Sequence, residues 1–200
     1  MAESLNINRK DQIVDAAALL FKQKGYVSTS MRDLATELGI EAASIYHHIK
    51  SKEELLESIC FDMANKFISN AKEVNDIYFN AEERLRMAIK LHIETITENQ
   101  NQSAVFLSEW RNLSEPKLGL FKQLRNQYEN QFTIILIDGE NEDIFDQTDK
   151  KFAVLSILST INFVNEWYNP EGKMNAAEIA EKLSNFIMGG LRKRLVTDVL

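Results

Sequence analysis

The chain has 200 residues, a net charge of −7, and 44% hydrophobic and 26% charged content, enough to bury a core, which excludes a disordered tail. Seven Gly and two Pro (Pro116, Pro170) are too few for the turns of an all-β sandwich, and a single Cys (Cys60) excludes an internal disulfide or a multi-Cys zinc site. No apolar run approaches the roughly 18 residues of a membrane span, and MAESLNINRKDQIVD lacks the apolar stretch of a signal peptide. A cytoplasmic location and no membrane partner are therefore expected.

The acidity is unevenly placed. Residues 1–52 carry seven Lys/Arg and six Asp/Glu, a balance of +1, so the other 148 residues hold −8. A polyanion can still meet the smaller part.

Ile13, Ala16, Ala17, Leu20 and Phe21 recur at three- and four-residue steps, predicting an amphipathic helix that stops after Lys22 and Lys24, near Gly25. Ser28, Thr29 and Ser30 offer N-cap hydroxyls for a short helix, Met31 to Leu38, closed by Gly39. A third short helix lies within Ile40 to Ile49. Ser51 and Glu54 form a capping box for a long fourth helix from about Lys52 into the seventies. Asn80 to Glu83 caps a helix carrying Leu85, Leu91 and Ile96, and shorter periodicity covers Ala104 to Arg111. Pro116 precedes a helix holding Leu120, Phe121, Leu124, Tyr128, Phe132 and Ile135, with a loop from Asp138 to Asp149. Lys151 to Trp167 is nearly apolar all round, so it is expected in a core or at an interface. Asn175 to Glu178 starts a last helix, Ala176 to Val196.

The N-terminal order of helix, short helix, Gly-containing turn and short helix matches a helix-turn-helix, at about residues 30–49. Ile13, Ala16, Ala17, Leu20, Phe21, Gly25, Tyr26, Thr29, Ser30, Arg32, Asp33, Leu34, Ala35, Gly39, Ile40, Ser44, Ile45, Tyr46, His48, Lys52, Glu53 and Leu55 stand at the offsets of one family pattern. Across Ile13 to Leu56 the chain resembles the TetR family of one-component repressors. It departs at Ala43, where the family often has Gly, and at Glu41, an acid that repels phosphate unless it faces a base donor. The resemblance implies an all-α fold of about nine helices. Residues 1–55 would form a three-helix DNA-binding domain, and residues 56–200 a helical-bundle domain for ligand binding and dimerisation.

On this reading Thr29, Ser30 and Met31 open the second helix, where hydroxyls and N–H groups meet phosphate, and Lys52 does the same at the fourth. Lys52→Ala is then expected to weaken all DNA binding and flatten its salt dependence. Ala42, Ala43 and Ser44 let the recognition helix seat deeply; Tyr46, His47 and Lys50 reach phosphate or base edges. Ser30 reads equally as a plain N-cap, and Tyr46 as a core residue. His47 and His48 point to different faces, so no metal is expected, nor any cofactor. No nucleophile elbow, P-loop, H-E-x-x-H or dinucleotide fingerprint is present, and Cys60 reads as a buried thiol, so no enzyme is expected.

In the larger domain His92, Phe106, Trp110, Arg111, Tyr128, Asn162, Asn165 and Trp167 put polar or aromatic groups on apolar helix faces and are the candidate pocket liners, with aromatic core as the competing reading of each. Arg111 beside Trp110 suits a carboxylate or phosphate at a pocket mouth. Residues 167–172, Trp-Tyr-Asn-Pro-Glu-Gly, resemble a stretch in TetR relatives that sense acyl-coenzyme A. The expected partners are an operator duplex, a small-molecule effector and a second copy of the chain, held through the two C-terminal helices, with Gly189 and Gly190 permitting close approach. The rival reading is a helical small-molecule-binding or interaction protein with a vestigial helix-turn-helix.

Overall fold

A computed structural model describes residues 9–76 and 79–193. The described chain is built of ten α-helices and one 3₁₀ turn, with no strand beyond an isolated bridge between Phe145 and Arg192. The helices are α1 (Arg9–Lys24), α2 (Met31–Leu38), α3 (Ala42–Tyr46), α4 (Lys52–Asp76), α5 (Ala81–Glu98), α6 (Gln100–Ser108), α7 (Lys117–Asn141), α8 (Lys150–Asn162), α9 (Val164–Trp167) and α10 (Ala176–Leu191); the 3₁₀ turn is Trp110–Asn112. The all-α expectation holds. The single helix expected from Lys151 to Trp167 is broken at Phe163 into α8 and α9.

Two compact units share the chain, and neither is contiguous: one takes residues up to Ala64 together with Asn99–Gln123, the other Asn65–Glu98 and Leu124 onward. In the first, α1 buries Ile13, Ala17, Ala18, Leu20 and Phe21. It ends where Gly25 adopts φ +82°, a left-handed conformation that costs glycine little. Its outer polar face meets α6 through Gln102 to Asp15 (2.6 Å) and Lys22 to Asn101 (3.3 Å). Side chains from α4, α6 and the 3₁₀ turn close around Phe121, whose ring lies 5.5 Å from Phe106, 5.7 Å from Trp110 and 6.0 Å from Phe61.

In the second unit α5 packs along α10, and Ile89, Ile93, Phe132, Ile135, Val154, Ile161 and Ile179 belong to one continuous buried cluster. Reciprocal capping boxes start α10 at Asn175 with Glu178 and α5 at Asn80 with Glu83, as their spacing predicted. The buried Arg84 guanidinium reaches Asp138 at 2.8 Å and Glu142 at 3.5 Å. The helix α7 runs on to Asn141, so the loop expected from Asp138 begins later. Gly139 is what allows that turn: the Phe145 ring lies where a side chain would stand, and the N–H groups of Ile144 and Phe145 both donate to the Gly139 carbonyl. The expected last helix to Val196 closes at Leu191, where Arg192 turns extended and the Asp146 N–H donates to the Leu191 carbonyl; Val196 lies outside the described residues.

Candidate DNA-reading and effector sites

The reading element stands on two short helices whose ends are locally determined. Ser30 caps α2 reciprocally with Asp33: the Asp33 N–H donates to the Ser30 hydroxyl oxygen at 3.1 Å, and the Ser30 N–H to the Asp33 carboxylate at 2.8 Å. The Ser30 hydroxyl also donates to the Asp33 carboxylate, and this bond, with the Ser30 N–H and the Lys24 ammonium at 3.2 Å, holds the Asp33 carboxyl down at about 2. Gly39 closes α2 at φ +64°, and its N–H donates to the Thr36 carbonyl. The candidate recognition helix α3 follows at once. It anchors inward through Ile45 and, just beyond its end, Ile49, both fully buried, while Ala43, Ser44, Tyr46, His47 and Lys50 are exposed and Ala42 is half-buried. Tyr46, at 53% exposure, is therefore a surface group and not core.

Three expected arrangements at this edge differ in the structure. Thr29 is buried, and its hydroxyl donates back to the Gly25 carbonyl at 2.8 Å, so it presents nothing to phosphate; the Ser30 hydroxyl and N–H are spent on the cap. What remains at the α2 N-terminus is the N–H groups of Met31 and Arg32, which carry no hydrogen bond among the described residues. At α4, the Glu54 N–H donates to the Ser51 hydroxyl oxygen as expected, but the Glu54 carboxylate accepts from the Lys50 N–H and not from Ser51, so the cap is not a reciprocal box. Lys52 does not point a free ammonium outward. Its Nζ donates to the backbone carbonyls of Tyr26 (2.8 Å), Thr29 (2.9 Å) and Val27 (3.4 Å), and lies 4.3 Å above the Tyr26 ring.

The expected effector liners divide between the two units. Phe106, Trp110 and Arg111 belong to the first, where Arg111 is exposed and stacks 4.5 Å over Trp110. His92, Tyr128 and Asn162 come together in the second. The Asn162 Oδ1 can only accept, so His92 Nε2 carries the proton and donates at 3.0 Å; Nδ1 then accepts from the Tyr128 hydroxyl at 2.7 Å. Phe67 stacks on His92 at 4.7 Å and lies 5.6 Å from the Tyr128 ring. Burial pushes His92 down to about 3 against the opposing effect of its Asn162 hydrogen bond, so the imidazole is neutral, and burial raises the Tyr128 phenol. Asn165 Oδ1 is buried with no hydrogen-bond partner among the described residues, whereas Trp167 is 43% exposed. Phe67 went unremarked in the sequence because one Phe on an apolar helix face carries no mark distinguishing ring-stacking from core. A separate groove of about 400 Å³ runs between α5 and α10, lined by Phe79, Met87, Lys90, Ala180 and Ser184 among others. Cys60 is buried and its thiol is pushed up to about 12 by desolvation, which leaves no thiolate at neutral pH.

No described helix is long and apolar enough to cross a membrane, and the described residues hold no cluster of metal-ligating side chains. Family models match twice: the bacterial regulatory proteins of the tetR family over residues 13–59, and the tetracyclin repressor-like C-terminal domain over residues 79–191. The HTH-type transcriptional repressor KstR2 of Mycolicibacterium smegmatis is 25% identical over 186 residues, 92% of this chain and 91% of the relative. The solved structure of PfmR from Thermus thermophilus, a TetR-family regulator, has 31% identity and a TM-score of 0.82, covering 92% of this chain and 100% of that one. AibR, solved in complex with isovaleryl coenzyme A and operator DNA, shares the fold with a TM-score of 0.79 at 24% identity, covering 94% of this chain and all of that one. The chain belongs to the tetR family of bacterial regulatory proteins, ligand-responsive repressors that bind DNA.

Proposed function

We propose that two copies of the chain bind a pseudo-palindromic operator, each placing α3 in the major groove of one half-site, and that a small effector releases them. The observation carrying this reading is the two-sidedness of α3: Ile45 and Ile49 fully buried, Ser44, Tyr46 and His47 exposed. Such a helix keeps its orientation while offering hydrogen-bonding groups to base edges. Ala42 and Ala43 let the backbone approach; Lys50 and the Met31 N–H address phosphate. On this division residues 1–55 read DNA and residues 56–200 sense and dimerise.

The dimer is assigned to α8 and α10. Phe152, Leu155 and Ser159 form one exposed stripe along α8, Phe163 is exposed just past its end, and Phe186, Gly189 and Gly190 lie exposed on α10. Phe152 at 71% and Phe186 at 75% exposure are surfaces that soluble proteins cover with a partner. Two copies of each helix make a four-helix interface.

The effector is assigned to the neighbourhood of His92, Tyr128, Asn162 and Asn165. These groups are uncharged at neutral pH and lie among apolar side chains, which suits a hydrophobic ligand with a neutral polar group, such as an acyl-coenzyme A thioester. AibR's isovaleryl coenzyme A complex supports that class. Release requires a ligand that favours the conformation unable to span successive major grooves, about 34 Å apart. No catalytic role is assigned.

Footprinting of the purified protein on the DNA upstream of its own coding region, with and without isovaleryl coenzyme A, tests the reading. A salt-sensitive protected site of two half-sites is expected. Absence of any sequence-specific protection would favour a vestigial helix-turn-helix.

A further inference from the structure

We infer that the groove between α5 and α10 binds an uncharged hydrophobic molecule carrying one hydrogen-bonding group, at a site distinct from the effector neighbourhood around His92. The groove holds about 400 Å³, within the size of small-molecule sites, and Phe79, Met87, Ala177 and Ala180 give it apolar walls. One polar side chain is set among them. Ser184 lines the groove at 3% exposure, and its hydroxyl makes no hydrogen bond among the described residues. Hydroxyls elsewhere in this unit behave otherwise: Thr95, Thr97, Thr133 and Thr160 each donate to the carbonyl one turn back in their own helix. A buried hydroxyl without a partner is costly, so a ligand group that supplies one gains what Ser184 lacks.

The charges on the walls decide the charge of the ligand. Arg86 and Lys90 stand there with Glu83 and Glu181, two of each sign. Arg86 is already spent, its Nε donating to Glu82 at 3.0 Å and its Nη1 to Asn185 at 2.9 Å. Lys90 has the Glu94 carboxylate at 3.7 Å. A ligand ion of either sign meets two like charges here, and burying it against apolar walls costs its hydration. A neutral hydroxyl meets neither cost and can both donate to and accept from Ser184.

The groove also stands apart from the surfaces assigned above. Glu83, Arg86, Met87 and Lys90 recur at three- and four-residue steps and share one face of α5, with His92 on the opposite face. On α10, Ala177, Ala180, Glu181 and Ser184 share a face in the same way, opposite Phe186, Gly189 and Gly190. Hydrogen bonds from Arg86 to Asn185 and from Arg192 to Glu82 tie the two helices together, so the walls are fixed to each other before a ligand enters. An occupied groove leaves both His92 and the assigned dimer face clear.

NMR of the full chain with methyl-labelled methionine tests the inference. The Met87 signal is assigned through Met87→Leu, and three probes of one chain length are titrated: 1-octanol, octanoate and octylammonium. A saturable shift of the Met87 methyl by 1-octanol is expected, with binding about tenfold or more weaker for both ions. Ser184→Ala should weaken 1-octanol about fivefold, the worth of one neutral hydrogen bond. Ala177→Trp, at an exposed wall position, should abolish the shift with helicity unchanged by circular dichroism. If Ala177→Trp fails to fold, Glu181→Phe at a second exposed wall position takes its place. A Met87 signal that does not move, or either ion binding as tightly as the alcohol, would overturn the inference. So would unaltered affinity in Ser184→Ala, or a shift that survives in a folded groove-filling variant.

Discussion

His92 makes acid a specific perturbant of the second unit. In the unfolded chain its imidazole takes up a proton near the ordinary 6.5, while in the folded chain burial delays protonation to about 3. Between those values the unfolded state binds more protons, so stability falls as pH falls, by about 1.4 kcal/mol per pH unit from this group. Above pH 6.5 the group costs nothing; from 6.5 to 5.0 the loss reaches roughly 2 kcal/mol, a sizeable part of a typical domain's 5–15 kcal/mol. Tyr128 stays neutral throughout, and ordinary carboxylates titrate mostly below this window. Urea unfolding at pH 7.5, 6.5, 5.8 and 5.0, on wild type and His92→Gln, isolates the contribution. The variant should be less stable at pH 7.5, having lost the bonds to Tyr128 and Asn162, and the gap should narrow steadily towards pH 5.0. Parallel pH dependences in the two proteins would refute the argument, because they would mean that the folded imidazole titrates like the unfolded one.

Gly139→Ala should lower the melting temperature by several degrees in scanning calorimetry, since its methyl would overlap the buried Phe145 ring and overpacking costs about 1–3 kcal/mol. Phe152→Glu, on the outer face of α8, should leave helicity intact by circular dichroism but shift light scattering from dimer to monomer; covering that ring is worth roughly 3 kcal/mol per copy. His47→Ala should relax base preference at one position of each half-site in a selection experiment, costing about 1–3 kcal/mol on the preferred site while leaving non-specific binding and its salt slope nearly unchanged.

Much of the N-terminal architecture was legible in local residue order. Gly25 and Gly39 end their helices through backbone conformations that only their immediate neighbours need, and the Ser30–Asp33, Asn80–Glu83 and Asn175–Glu178 caps span three residues each. The α3 anchors Ile45 and Ile49 follow from helical spacing. Where the structure differs from the expectation, the deciding partner is a backbone carbonyl that residue type does not mark. Thr29 was read as an exposed hydroxyl because a cap position looks alike whether it faces solvent or the Gly25 carbonyl. Lys52 was read with a free ammonium because its three acceptors lie 23 to 26 residues earlier and are carbonyls, which every residue type carries.

The effector liners divide on the same principle. Aromatic and polar residues on apolar faces mark eight positions, but only packing decides that His92, Tyr128 and Asn162, 36 and 70 residues apart, share hydrogen bonds while Phe106 and Trp110 close on Phe121 in the other unit. By itself the sequence determined the helical class, the helix-turn-helix and the split of charge that leaves the reading end nearly neutral, because periodicity, caps and composition are short-range or additive properties. The tertiary structure alone decided that the carbonyls of Tyr26, Val27 and Thr29 take up the Lys52 ammonium and that Tyr46 stands exposed while Ile45 and Ile49 are buried, because those partners lie far from each residue in sequence.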